Sequence, residues 1–156
     1  MRVVIADDEK FVLVVLKSAL RSVRFPIEIV GEALDGDDAY RLCCKKKPDL
    51  LITDICMPRK DGLDLLAKLR ETQPELPVII YSGFDNFSYA QKAIHYGVEE
   101  YLLKPIRAKT LYPILDRLEL RERRPQEALT LRTGGIIVRM PFSQLTYVEV
   151  NGKHLY

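Results

Sequence analysis

Five short apolar runs, alternating with stretches of helical spacing, constrain this chain more than any other feature. The runs are Val3-Val4-Ile5, Ile27-Glu28-Ile29-Val30, Leu50-Leu51-Ile52-Thr53, Val78-Ile79-Ile80-Tyr81 and Glu100-Tyr101-Leu102-Leu103. Most are nearly continuous in apolar character, as strands covered on both faces are, and lack the alternation of a half-exposed strand. Between them, Phe11, Val15, Leu16, Ala19, Leu20 and Val23 form one helical stripe, and Leu63, Leu66, Ala67 and Leu69-Arg70 form another after Gly62. Phe87, Ala90, Ala93 and Ile94 make a third, which Gly97 stops, and Leu111, Ile114, Leu115 and Leu118 make the last. The alternation predicts an α/β fold: a doubly wound, five-stranded parallel sheet with helices on both faces. Pro113 falls inside the last expected helix, where it removes a donor and crowds the preceding turn, so that helix either starts late or kinks.

The pattern changes after Glu119. Residues 121–127 are charged and contain Pro125, as a helix tail running into a linker does. Beyond them, Leu129–Arg132, a Thr133-Gly134-Gly135 turn, Ile136–Arg139 and Tyr147–Val150 read as short strands, and Asn151-Gly152 is a hairpin signal. The expected organisation is a domain over 1–120, a linker over 121–127 and a partial C-terminal β segment over 128–156. The 29 residues of that segment are too few to bury a core unaided, so it reads as an incomplete domain.

Composition sets the outer bounds. Hydrophobic residues at 47% and charged residues at 29% support a packed core and exclude a disordered chain. The longest unbroken apolar run, Phe11–Leu16, is far short of a membrane span, and the N-terminus lacks the apolar stretch of a signal peptide. Cys43, Cys44 and Cys56 are too few and too poorly spaced for a zinc site or a disulfide framework. A cytoplasmic protein with no membrane partner is expected. Residues 1–118 balance 18 Lys and Arg against 18 Asp and Glu, so the net charge of +2 rests on residues 119–156, with six against four.

In an open parallel sheet, functional groups gather beyond the carboxyl ends of the strands. Asp7, Asp8 and Glu9 follow the first strand, Asp54 the third, Ser82 the fourth and Lys104-Pro105 the fifth. Crowded carboxylates resist ionising together, and a divalent cation removes that penalty; an all-oxygen site with few protein ligands suits Mg²⁺. A lysine and a hydroxyl facing such a pair are what a transferred phosphoryl group needs, and a carboxylate can itself be the nucleophile. Taken singly, each residue has an ordinary reading: a helix cap for Asp7 and Asp8, a surface lysine, a turn serine. Their joint placement carries the expectation. Lys45-Lys46-Lys47 reads as a solvated helix end, and neither His95 nor His154 has a partner signal.

Asp7-Asp8-Glu9, the run from Asp49 through Asp54 to Met57-Pro58 and Gly62, Ser82-Gly83, and Tyr101-Leu102-Leu103-Lys104-Pro105 together resemble the receiver domain of bacterial two-component response regulators. The resemblance covers residues 1 to 120 and implies the flavodoxin-like strand order 2-1-3-4-5. It further implies that Asp54 is the phosphoacceptor. Asp8 would be a direct Mg²⁺ ligand with Asp54, Asp7 would act mainly through water, and the backbone carbonyl of Cys56 would be the remaining protein ligand. Lys104 would bind a phosphoryl oxygen ahead of a cis peptide bond to Pro105. Ser82 and Tyr101 match the family's switch pair, whose movement biases the face made by the fourth helix, fifth strand and fifth helix. The partners implied are a cognate sensor histidine kinase and a second copy through that face. Pro113 puts the usual dimer geometry in question.

Leu145-Thr146-Tyr147-Val148-Glu149 resembles an opening strand of a LytTR-type DNA-binding domain, so DNA is expected to be bound only through a complete output domain. The resulting expectation is a phosphoacceptor regulator of transcription and not a conventional enzyme. Two alternatives differ in class: a receiver acting through protein contacts alone, and an aspartyl-phosphate phosphatase of the haloacid dehalogenase type. The phosphatase needs a second aspartate two residues past its nucleophile; position 56 is Cys, and position 9 after Asp7 is Glu.

Overall fold

The computed structural model describes residues 1–59, 61–83, 87–123, 128–133, 136–141, 150–151 and 154–155. The chain divides into two compact units, Met1–Leu115 and Asp116–Tyr156. In the first, strands and helices alternate: β1 (Arg2–Ala6), α1 (Lys10–Arg21), β2 (Glu28–Ala33), α2 (Gly36–Lys46), β3 (Leu50–Thr53), α3 (Gly62–Thr72), β4 (Val78–Ser82), α4 (Phe87–His95), β5 (Glu100–Leu103) and the start of α5 (Ala108–Arg123). All five strands are parallel, in the order β2-β1-β3-β4-β5, which is the expected doubly wound sheet. Among the described residues no helix is long and apolar enough to cross a membrane.

The near-continuous apolar strands have the reason anticipated: both faces are covered. Side chains alternate across a strand, so Val4, Ala6, Leu51, Val78 and Ile80 share one face. They form a buried cluster with Ala39 and Cys43 of α2, Leu65, Leu66 and Leu69 of α3, and Ala93 of α4. Val3, Ile5, Leu50, Ile52 and Ile79 point the other way and are equally inaccessible. On α1 and α5, Leu13, Leu16, Leu20, Leu111, Ile114 and Leu115 are buried, and the Tyr112 hydroxyl donates to the Ala19 carbonyl at 3.4 Å, joining the two helices.

Two of the expected stripes are corrected. On α1 the buried residues are Leu13, Leu16 and Leu20, whereas Phe11 is 76% exposed and Val15 lies at the surface. Six consecutive apolar residues offer every face of the helix at once, so periodicity cannot select the buried one. On α4 only Ala93 is buried, with Tyr89 and Tyr96 packed against the cluster, while Phe87 and Ile94 are 80% and 69% exposed. The last stripe holds as expected, and Pro113 stands inside the helix, which neither starts late nor ends there.

The second unit contains the rest of α5 and two antiparallel pairs. β6 (Ala128–Thr133) pairs with β7 (Ile136–Pro141), and β8 (Val150–Asn151) with β9 (His154–Leu155). Antiparallel pairing closes at Thr133–Ile136 and at Asn151–His154, where the sequence signals hairpins. The strand anticipated at 145–149 lies outside the described residues.

Candidate functional site

The sheet ladder itself brings the acidic groups together. Ala6 and Thr53 are register partners at the ends of β1 and β3. The ladder runs one residue further: the Asp54 N–H donates to the Ala6 carbonyl at 2.9 Å, and the Asp7 N–H to the Ala33 carbonyl at 3.1 Å. Asp7 and Asp54 are therefore the first residues past adjacent strands and emerge side by side. Both are buried, whereas Asp8, one residue on, is exposed. Carboxylate oxygens of Asp7, Asp8 and Asp54 lie within 4.8 Å of one another.

Lys104 reaches this cluster from the far side of β4. Its N–H donates to the Ser82 carbonyl at 2.8 Å, and its Nζ lies 2.7 Å from Asp54 Oδ2, 2.6 Å from Asp7 Oδ2 and 3.9 Å from Glu9 Oε1. The bond to Pro105 is cis. Ser82 ends β4 beside β3 and is fully buried. Tyr101, half-buried, pairs in register with Ile80 and packs against the core cluster two residues upstream of Leu103. Among the expected residues, Asp7, Asp8, Asp54 and Lys104 are thus in one cluster; Ser82 is joined to Lys104 through the backbone, and Tyr101 packs on the apolar core.

Backbone donors fix the Asp54 carboxylate. Its Oδ1 accepts N–H groups from Ile55 at 2.6 Å and Cys56 at 3.3 Å. The loop that supplies them is closed by Gly62, whose N–H donates to the Ile55 carbonyl at 2.7 Å. A Cβ at position 62 would stand 2.3 Å from the Asp54 carbonyl oxygen, so only glycine lets the start of α3 press this close. Asp61 caps that helix, accepting from the Asp64 N–H at 2.8 Å.

Burial is the largest influence on Asp7 and raises its carboxyl above the ordinary range, with the hydrogen bond and charge of Lys104 and the N–H of Glu9 pulling back. For Lys104, burial alone would lower the ammonium, but Asp54 and Asp7 outweigh it and the net direction is up. Burial, then the charges of Asp54, Asp61 and Asp8, push the Cys56 thiol up, so it stays protonated near neutrality and is a poor soft-metal ligand. Three carboxylates against one ammonium leave a formal charge of −2. Oxygen donors with that charge fit a hard divalent cation.

Sequence reasoning missed two parts of this arrangement. Asp35, wholly buried, caps α2 through the Asp38 N–H at 2.9 Å and pairs with Arg59 of the loop after β3. The Asp35-Gly36 pair ahead of a helical stretch is a cap signal that could have been read; its pairing with Arg59 has no local signature. The N–H donors on Asp54 carry no side-chain signature either.

The response regulator receiver domain family matches residues 3–116. The transcriptional regulatory protein HptR of Staphylococcus aureus is 39% identical over 117 residues, covering 75% of this chain and 46% of HptR. The uncharacterized transcriptional regulatory protein YesN of Bacillus subtilis is 34% identical over 117 residues, covering 75% of this chain and 32% of YesN. The chain thus spans less than half the length of these curated relatives. The solved receiver domain of AraT, a response regulator from Geobacillus stearothermophilus, superposes with a TM-score of 0.69 at 36% identity, covering 80% of this chain and 98% of AraT's.

Proposed function

The chain belongs to the response regulator receiver domain family, and from that membership we propose that it accepts a phosphoryl group on Asp54 from a cognate sensor histidine kinase, with Mg²⁺, and switches a C-terminal output. The observation that carries this reading is the cluster itself: Asp7, Asp8 and Asp54 within 4.8 Å, with the Lys104 ammonium touching both buried carboxylates.

Asp8, Asp54 and the Cys56 carbonyl would hold Mg²⁺ directly, with Asp7 acting through water. The ion, when bound, neutralises phosphoryl oxygens and the excess carboxylate charge. Asp54 is the nucleophile: a carboxylate oxygen forms the new P–O bond while the bond to the donor's histidine nitrogen breaks, its electron pair leaving with the imidazole. The Ile55 and Cys56 N–H groups orient the carboxylate, and Lys104 follows the charge onto the phosphoryl oxygens. Ser82 and Tyr101 form the switch pair, the hydroxyl moving to the phosphoryl group and the ring turning inward. The apolar side chains of Phe87, Ile94 and Leu103, all exposed on α4 and β5, support a homodimer through the α4–β5–α5 face.

The output is transcription regulation in the cytoplasm through a DNA-binding domain of the LytTR type. That the curated relatives are transcriptional regulatory proteins supports the regulation of transcription, and the LytTR-like pattern at residues 145–149 alone supports the type of domain. Incubation with Mg²⁺ and acetyl phosphate is expected to add one base-labile phosphoryl group by intact mass, and chelator to prevent it. Asp8→Asn is expected to weaken Mg²⁺ binding more than Asp7→Asn. Labelling of Asp54→Asn at the wild-type rate overturns the assignment.

A further inference from the structure

The loop between β3 and α3 is held at its inner edge by contacts already described, yet its outer edge also carries a tether. Arg59 sits at φ +65, a left-handed conformation that a non-glycine residue adopts only when its surroundings impose it. Its guanidinium pairs with Asp35 Oδ2 and lies 4.0 Å from Asp38 Oδ2. The Asp35 side chain is 1% exposed, and Arg59 is the only described partner of that buried oxygen, since Oδ1 is taken by the α2 cap. A buried carboxylate without a counter-charge is strongly unfavourable, so the pair is held firmly even though the Arg59 side chain is 66% exposed.

The position of this tether gives it a consequence for the site. Asp35 lies just past β2, and Arg59 in the loop after β3, with β1 between those strands. The pair therefore spans the carboxyl end of β1, where Asp7 and Asp8 emerge. It also closes the segment Ile55–Arg59, which carries the two N–H donors on Asp54 and the Cys56 carbonyl.

We propose that Arg59, anchored by Asp35, is a positioning residue that fixes the loop after Asp54 in the shape that binds the divalent cation and orients the acceptor carboxylate. The proposal rests on the phosphoacceptor reading above. Neither side chain touches the reacting atoms; their effect passes through the loop backbone.

The test uses the full chain, with Mg²⁺ affinity by calorimetry, acetyl phosphate labelling by intact mass, and hydrogen exchange at the Ile55, Cys56 and Met57 amides. Arg59→Ala is expected to weaken Mg²⁺ binding by about tenfold, as loss of an outer supporting group around a metal does. Labelling should slow at fixed subsaturating Mg²⁺, and the three amides should exchange faster. Arg59→Lys, which keeps the charge but loses the planar fork, should recover part of the affinity. Because Arg59→Ala strands a buried charge and lowers stability, a double variant R59A/D35N removes both charges while an amide oxygen keeps the α2 cap; it should show the same loss of affinity. Wild-type Mg²⁺ affinity in the folded single or double variant, even with a lowered melting temperature, assigns the pair to folding alone and overturns the inference. Failure of the wild-type chain to bind Mg²⁺ or label would instead overturn the phosphoacceptor reading.

Discussion

Cys43 and Cys44 are neighbours in the chain with opposite surroundings. Cys43 is fully buried in the cluster under the sheet, and Cys44 is exposed on the other side of α2. Burial first, and the neighbouring Cys44 second, push the Cys43 thiol up to about 12. The folded state therefore favours the protonated thiol. That contribution to stability is fully present below the unfolded thiol's pKa, about 8.5, and is lost as pH rises through that value toward the folded one. The melting temperature of the wild-type chain should fall more steeply between about pH 9 and 11 than that of Cys43→Ala. In the native protein at pH 8, iodoacetamide should modify Cys44 well before Cys43. Equal alkylation rates, or parallel melting curves against pH, would contradict this account. At the strand ends burial likewise works against the charged forms of Asp7 and Lys104, but there the two groups pair and oppose it.

At the scale of elements, Arg70 shows how α4 is held. Its Nε donates to the Tyr96 carbonyl at 2.6 Å, Nη1 to the Leu76 carbonyl at 2.9 Å and Nη2 to the Gly97 carbonyl at 3.1 Å. One guanidinium on α3 thus fastens the C-terminal end of α4 and the loop before β4. Gly97 itself has φ +65, the left-handed end that glycine makes without strain. Arg70→Ala removes three charge-assisted bonds and should destabilise the chain by about 2–4 kcal/mol in urea unfolding. Arg70→Lys should recover less than half of this, because an ammonium cannot reproduce the fork. A loss below about 0.5 kcal/mol for Arg70→Ala would mean that water replaces the clamp. The strands and the strand-end residues Asp7, Asp54, Ser82 and Lys104 were legible in the sequence because continuous apolar runs and their abrupt polar ends are local signals. The buried faces of α1 and α4 were not. Six apolar residues in succession blur the α1 period, and α4 packs through Tyr89 and Tyr96, whose rings act as core while their hydroxyls read as polar. Arg59 with Asp35 and Arg70 with its carbonyls join residues 24 and up to 27 positions apart, beyond the reach of any spacing rule.

For the molecule as a whole, residues 1–118 and 119–156 differ in what their charges can do. Residues 1–118 carry balanced charge, with a cluster of carboxylates at the strand ends that repels nucleic acid. Residues 119–156 carry six Lys and Arg against four Asp and Glu. DNA affinity grows with the number of phosphates neutralised, each adding about −0.9 to the slope of log K against log salt. Six cations set the steepest slope this segment can supply at about −5, and four interspersed carboxylates lower it further. The expected outcome is that this chain binds duplex DNA weakly, without sequence preference, and loses that binding between about 50 and 200 mM salt. Fluorescence anisotropy across a salt series, with and without acetyl phosphate and Mg²⁺, measures both the slope and its response to phosphorylation. Nanomolar, sequence-dependent binding at 150 mM salt would show that residues 119–156 read bases directly, and that their charge count is a poor guide to what they recognise.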